Sequence, residues 1–448
     1  MNPHVLKLRV GMGIHPVTGR AEPGSGNQAA SELFALADRG SRLHLVNKAY
    51  AFRVATYACR FNEAYLHSYT YASEQAWVAY EENLAGQDWR QEDFLFPNRC
   101  FFRVLLTRTD GKNITAGEVK DTGKILLFSP GEQQVPWNPV FLPEIGKTCS
   151  RVKALREDGS LVFAVLADTH VTVNGTWEGT VGNLKELHGR IGFDAVIHLG
   201  DLTDGIVPRH ITYHYIHEML EDLRQIGAPV HVVLGNHDAN YFQKNPDVFS
   251  LKEQAALFLS GSPGVRPYAD CPYRYCDYPE HGLRCIFLSA YRNEEKLRYG
   301  YDMEQLAWLA DTMEKTQEGM RVLIFSHDAP IARLDFWSDE IRNEAEIMKI
   351  LGAWQEQRHD ILGFIHGHTH ADFVCRERGI PIISVGCAKC EDMQEKKPEG
   401  SHTEPRQMGT VTQELWDVLV IQPQKGTLDF VRFGAGQDRH VFLDEALP

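Results

Sequence analysis

The sequence predicts a layered α/β domain preceded by a smaller, mostly β domain, and three observations carry that expectation. From about residue 150 onward, short apolar runs alternate with segments of helical periodicity. The first ~130 residues carry instead short aromatic and β-branched runs between turn signals. Five of the apolar runs in the second part end abruptly in Asp, Asn or His.

In chain order, the runs around Arg42–Phe61, Tyr65–Tyr71, Arg99–Gly111 and Gly123–Pro130 predict an antiparallel β-sandwich over residues 1–129. Asp110-Gly111 predicts a hairpin turn within it. The glycines of "GMGIHPVTG" and "PGSGN" lack the Lys-Ser/Thr of a phosphate loop and read as turns. Pro130, Pro136, Pro139 and Pro143 punctuate a stretch of little periodicity, which places a linker at 130–147. A catalytic domain then spans 148–434 and a tail 435–448. Its expected strands are "LVFAVLAD", "DAVIHLGD", "VHVVLGN", "RCIFLSA", "RVLIFSH", "ILGFIHGH", "IPIISVG" and "LWDVLVIQ". Helices are expected at "HITYHYIHEMLEDLRQIG", "MEQLAWLADTMEK" and "EIRNEAEIMKILGAWQEQ", and a closing hairpin at residues 417–434.

Composition narrows the function classes. Hydrophobic residues at 43% and charged residues at 24% give a globular balance. A net charge of -14 argues against a general nucleic-acid scaffold, though not against local phosphate chemistry at a cation site. Nine cysteines fit a reducing compartment better than a disulfide framework, and the Cys387/Cys390 pair has no second pair at zinc-ribbon spacing. No signal-peptide core or membrane span is visible, so the expected location is cytoplasmic.

The strand ends carry the chemistry. They read "ADTH" (Asp168, His170), "LGDLTDG" (Asp201), "LGNHD" (Asn236, His237), "FSHDAP" (His327) and "HGHTH" (His368, His370). Loops beyond the carboxyl ends of sheet strands converge in space, so groups about 200 residues apart can meet. Setting His237 aside, the set has two carboxylates, one amide and four imidazoles. These oxygen and nitrogen donors suit Mn, Fe, Zn or Co. Seven donors are too many for one catalytic ion with an open position, and they suit two ions if one carboxylate is shared. A single Asp at a strand end is more often a turn or helix cap; five blocks in order are not explained that way.

The five blocks resemble the calcineurin-like metallophosphoesterase superfamily, whose pattern is D-x-H, G-D, G-N-H-D/E, H and G-H-x-H. The resemblance covers about residues 150–434, and Tyr299–Met313 is similar to the family's stretch before the later His. It implies a four-layer fold, two mixed β-sheets flanked by helices, with a dinuclear metal site at one end. Carried over, Asp168, His170, Asp201 and His370 would hold one ion. Asp201, Asn236, His327 and His368 would hold the other, with Asp201 bridging. A water between the ions would become the hydroxide nucleophile that attacks phosphorus. His237 would assist at the phosphoryl or leaving oxygen, and Asp238 would orient its imidazole.

Asp204 stands where purple acid phosphatases place a metal-binding Tyr, and the block lacks the Arg of the "GDxVDRG" form of Ser/Thr protein phosphatases. The remaining similarity is to bacterial phosphodiesterases. The expected activity is therefore phosphodiester hydrolysis, with a phosphomonoesterase or nucleotidase of the same superfamily as the alternative and a non-catalytic binding protein as the other class. His210, His214 and His217 fall on one face of an expected helix, which reads first as a polar face. His210, Arg209, Trp177 and Tyr291 are the substrate-side candidates. The front domain faintly resembles β-sandwich accessory domains that precede hydrolase domains in bacterial and phage surface proteins. That implies contact with a glycan or cell-surface polymer; a purely structural module is the competing reading.

Overall fold

The computed structural model describes the chain except for residues 1–5, 17–20, 33–34, 60–76, 80–87, 98, 132–136, 172–175, 206, 208, 243–244, 246, 260–265, 268–271, 336, 391–405 and 444–448. Two compact units emerge, Met1–Pro136 with Thr172–Asn174, and Trp137–Val171 with Gly175–Pro448. Among the described residues, no helix is long and apolar enough to cross a membrane.

The first unit is built from antiparallel sheets. Tyr50–Cys59 and Cys100–Arg108 pair at the centre of one, and Arg42–Leu45 is flanked by Phe94–Leu95 and Leu126–Ser129 in another. Phe52, Val54, Phe102 and Val104 from the first sheet share a buried core with Leu43, Leu45 and Leu126 from the second. The expected strand at Tyr65–Tyr71 lies outside the described residues. The Asp110-Gly111 hairpin does not form. The Asp110 carboxylate takes the Arg108 guanidinium (2.7 Å) and the Lys112 amide (3.1 Å), and the chain leaves the sheet there.

The second unit opens with helix α1 (Leu142–Leu155), which begins inside the stretch expected to be a linker. Pro143 sits in its first turn, where a missing N–H leaves no hydrogen bond unmade. The remaining elements, in order, are β1 (Leu161–Leu166), α2 (Trp177–Ile191), β2 (Ala195–His198), α3 (Arg209–Arg224), β3 (Val230–Val232) and α4 (Leu251–Phe258). There follow β4 (Arg274–Tyr278), β5 (Leu283–Phe287), α5 (Met303–Glu314), β6 (Arg321–Phe325), α6 (Glu344–Arg358) and β7 (Ile361–His366). The chain closes with β8 (Phe373–Glu377), β9 (Ile380–Ser384), β10 (Leu415–Gln422), β11 (Thr427–Gly434) and β12 (Arg439–Phe442). The last of these pairs with β11, so part of the expected tail belongs to the sheet.

One sheet has the order β3-β2-β1-β10-β11-β12, the other β4-β5-β6-β7-β9-β8 with a short strand at Arg266–Pro267 outside β4. Both are mixed: β1, β2 and β3 run parallel, as do β5, β6, β7 and β9. Side-chain alternation along a strand decides what each face meets. Cys285, Phe287, Leu323 and Phe325 enter the core against Phe163, Val165 and Leu419 of the other sheet. Their neighbours Ile286, Val322 and Ile324 point the other way, onto Leu306, Leu309 and Met313 of α5 and Ile347 and Leu351 of α6. Helix α1 packs on β10, β11 and α2 at the far side. The result is four layers, helix, sheet, sheet, helix.

Candidate active site

The carboxyl ends of β1, β2, β3, β6 and β7 meet at one edge of the two sheets, and main-chain bonds fix their loops to one another. The amides of Asp168 and His170 donate to the carbonyls of Gly200 and Asp201 (3.0 Å each), and the Gly367 amide donates to the His327 carbonyl (3.0 Å). Asp168, His170, Asp201, His368 and His370 all have positive φ, between 40° and 64°. Non-glycine residues adopt that backbone only where the surroundings enforce it, and such positions gather at functional sites. This strain at the strand ends is how the loops turn their side chains back toward a common point.

All seven expected donors come together. His170 Nε2 lies 3.2 Å from His370 Nε2, 3.9 Å from Asp168 Oδ1 and 3.8 Å from Asp201 Oδ2. His370 Nε2 is 3.5 Å from Asp168 Oδ1. On the other side of Asp201, His327 Nε2 is 3.3 Å from Asp201 Oδ2 and 3.1 Å from Asn236 Oδ1. Asp201 thus belongs to two donor groups, one with His170 and His237, one with His327 and His368.

The donors fit a pair of divalent ions by their chemistry and their bracing. A metal-binding imidazole usually gives its other N–H to a carbonyl or carboxylate. His327 Nδ1 donates to the Leu199 carbonyl at 2.8 Å, which leaves Nε2 for the centre. His170 Nδ1 lies 3.8 Å from Asp204 Oδ1, and His368 Nε2 lies 3.5 Å from Asp335 Oδ1. Cys387 also stands close to His170 and His370, and its thiol donates to the Asp168 carbonyl at 3.0 Å.

The electrostatics follow from packing like and unlike charges in a dry place. Burial works against ionisation of Asp201, but the imidazoles of His327, His237 and His170 hold it well below the usual carboxylate range. Burial likewise opposes a charge on His327, and Asp201 overrides it, raising that imidazole to about 10. His170 is lowered by burial and then by its histidine neighbours.

His237 and Asp238 divide their work differently from the expectation. The His237 amide donates to Asp201 Oδ1 (2.8 Å), and its Nδ1 donates to the Asp204 carbonyl (2.7 Å), which turns Nε2 toward the centre, 3.8 Å from Asp201 Oδ2. The imidazole is therefore oriented by Asp204, not by Asp238. The Asp238 carboxylate accepts the amides of Asp201 (2.9 Å), Leu202 (2.9 Å) and Gly235 (2.8 Å), so it ties the β2 loop to the β3 loop. Nothing in the sequence distinguishes a carboxylate that bonds backbone from one that bonds the preceding ring.

The substrate-side candidates separate. Trp177 Nε1 donates to Asp222 (2.9 Å), joining α2 to α3. Arg209 pairs with Glu253, donates to the Val248 carbonyl (2.9 Å) and covers the Phe249 ring, which ties the start of α3 to α4. His210 is half-buried in the first turn of α3, while His217 on the same helix is exposed. Tyr291 is buried beside Tyr299, whose ring is 5.2 Å from that of His368. Sequence reasoning missed Asp335 and also Trp337, whose indole donates to the His368 carbonyl at 2.8 Å. Neither sits in a block of its own, so only the fold reveals them.

Comparison with solved structures finds a dimetal phosphatase from Danio rerio at 17% identity, with a TM-score of 0.47, covering 63% of this chain and 99% of that one. A phosphopantetheinyl hydrolase from Mycobacterium tuberculosis matches at 13% identity and a TM-score of 0.32, covering 52% and 91% of the two chains. A putative 5'-nucleotidase from Staphylococcus aureus matches at 14% identity and a TM-score of 0.35, covering 64% and 55%. No curated protein matches. Residues 161–372, a little under half of the chain, match the model of the calcineurin-like phosphoesterases and include all five strand-end blocks. Over that span the chain is similar to the calcineurin-like phosphoesterases.

Proposed function

We propose that the chain is a dinuclear metal phosphodiesterase, and the observation that carries this reading is that Asp201 is shared by two groups of buried oxygen and nitrogen donors. Asp168, His170, Asp201 and His370 would hold one ion, and Asp201, Asn236, His327 and His368 the other. Mn, Fe, Zn and Co all suit such donors. Bound there, two ions would supply a nucleophile at neutral pH by acidifying water and would take up charge on the phosphoryl oxygens.

The protein's own share is placement and proton handling. His237, with Nδ1 bound to the Asp204 carbonyl, presents Nε2 to the substrate and, when protonated, donates to the phosphoryl or leaving oxygen. Asp204 and Asp335 stand behind the rings of His170 and His368. Preference for a diester is supported by Gly205, which follows Asp204. A Cβ there would lie 2.6 Å from the His237 carbonyl, so this position bears no arginine that could grip a dianionic monoester.

The test is metal analysis with activity. After reconstitution with Mn, two ions per chain are expected, with bis-p-nitrophenyl phosphate turned over faster than p-nitrophenyl phosphate. The His237→Ala variant should keep both ions and lose on the order of a hundredfold in kcat. Fewer than two ions with no turnover would overturn the reading; faster monoester turnover would replace it with the monoesterase alternative.

A further inference from the structure

We propose that Arg298 is a substrate-binding residue that takes an anionic group lying beyond the reacting phosphoryl, so that the site selects phosphoesters carrying a second negative charge. The proposal rests on the phosphoesterase reading above and adds a recognition element to it.

Arg298 stands midway along an arc of rings whose two ends are part of the donor centre. At one end the Phe242 ring stacks on His237 at 4.1 Å. The next residue back, Tyr241, lies beneath the Arg298 guanidinium at 4.6 Å. From there Nη1 donates to the Tyr291 hydroxyl at 3.4 Å. The Tyr291 ring meets that of Tyr299 at 5.5 Å, and Tyr299 meets His368 at 5.2 Å. The cation is thus linked to His368 through the rings of Tyr291 and Tyr299, and on the other side its stacking partner Tyr241 immediately precedes Phe242, which covers His237. A group that reaches Arg298 is a different part of the substrate from the phosphoryl at the centre.

The use of its charge sets Arg298 apart from its neighbours. Arg292 and Arg342 both pair with Asp302, and Arg284 pairs with Asp277. The described partners of Arg298 are a ring face and a phenol. Burial pushes the Tyr291 hydroxyl up to about 12, so that partner stays neutral at pH 7. Stacking holds a guanidinium in one orientation and leaves its planar fork of N–H donors suited to a carboxylate or a phosphate.

The experiment uses the full chain loaded with Mn and follows binding of three anions by calorimetry, independently of turnover. Inorganic phosphate is the single anion; 2-phosphoglycolate adds a carboxylate, and methylenediphosphonate adds a second phosphorus. The wild type should bind at least one double anion more tightly than phosphate, by a factor on the order of ten to a hundred. Whichever of the two gains identifies the second group. In Arg298→Met that margin should vanish while phosphate affinity stays within about twofold. Arg298→Lys, which keeps the charge and loses the fork, should retain part of it and serves if the Met variant melts early. A margin unchanged in both variants would remove Arg298 from the site. Loss of phosphate affinity in step with the double anions would place it on the reacting phosphoryl and overturn the proposal. Failure of the chain to take up Mn would show before any anion is added and would count against the phosphoesterase reading itself.

Discussion

Gly235 shows how much a single atom decides at this centre. It stands at the end of β3, where a turn would be the ordinary reason for glycine. Its φ is not in the left-handed region; what it provides is room. A Cβ would lie 2.2 Å from Asp201 Oδ1 and 2.5 Å from the Asp201 amide. Gly235→Ala must therefore displace the carboxylate shared by both donor groups, and a misplacement of an ångström is enough to lose about a hundredfold in rate. The expected outcome is fewer than two ions per chain by metal analysis, with kcat/KM down at least tenfold; full metal content and wild-type rate would show that the loop can yield. The donor residues themselves were legible because side chains of that chemistry, set at strand ends, have few other reasons to recur five times. The second rank was not. Asp335 bears on the centre only through the fold, and the true partners of Asp238 are backbone amides that no pattern of side chains announces.

Among the elements, β3 carries a hidden acid sensitivity. His231 is buried in it, stacked on Phe287 at 4.9 Å. Burial, and then the nearby Arg274, lower its pKa to about 3 from the usual 6.5. Below pH 6.5 the unfolded chain takes up a proton here that the native chain refuses, so stability falls with falling pH until about pH 3. Between pH 7 and pH 5 that loss is about 2 kcal/mol. His231→Leu should flatten this part of the pH dependence in urea unfolding by about that amount. An equal slope in variant and wild type would show that another group is responsible. Strands β5, β6 and β7 were otherwise readable as continuous apolar runs, since they meet a core on both faces, and α3, α5 and α6 from their helical spacing. Other elements escaped, among them α1, α2, α4, β4, β8 and β12. Prolines hid α1, because a Pro in the first turn has the same spelling as a Pro in a linker. Asp110-Gly111 spelled a hairpin, but the next stretch of chain pairs elsewhere, and no local signal records that.

Across the molecule, the second unit is held together by a buried ionic network. Asp417 on β10 accepts from Arg432 (2.9 Å) and Arg439 (2.5 Å), and Arg432 also reaches Asp372 (3.1 Å), two residues beyond His370. The network joins the first sheet to the loop of the second that bears two of the histidines. Removing one partner strands buried charge, so Asp417→Asn should destabilise the unit by about 3–5 kcal/mol in denaturant unfolding. A loss below about 1 kcal/mol would mean that water enters the network. The four layers could be anticipated from the order of strands and helices, whereas this network could not, because its members lie far apart in sequence and singly look like surface charges. The shared edge of the sheets has a final consequence. Each of the two proposed ion sets draws on both sheets: Asp168, His170, Asp201 and Asn236 follow strands of the first, and His327, His368 and His370 follow strands of the second. Ions bound there would rivet one sheet to the other, and their binding energy would count toward folding. The supply of metal would then set how many mutations the shared core can absorb before the chain unfolds.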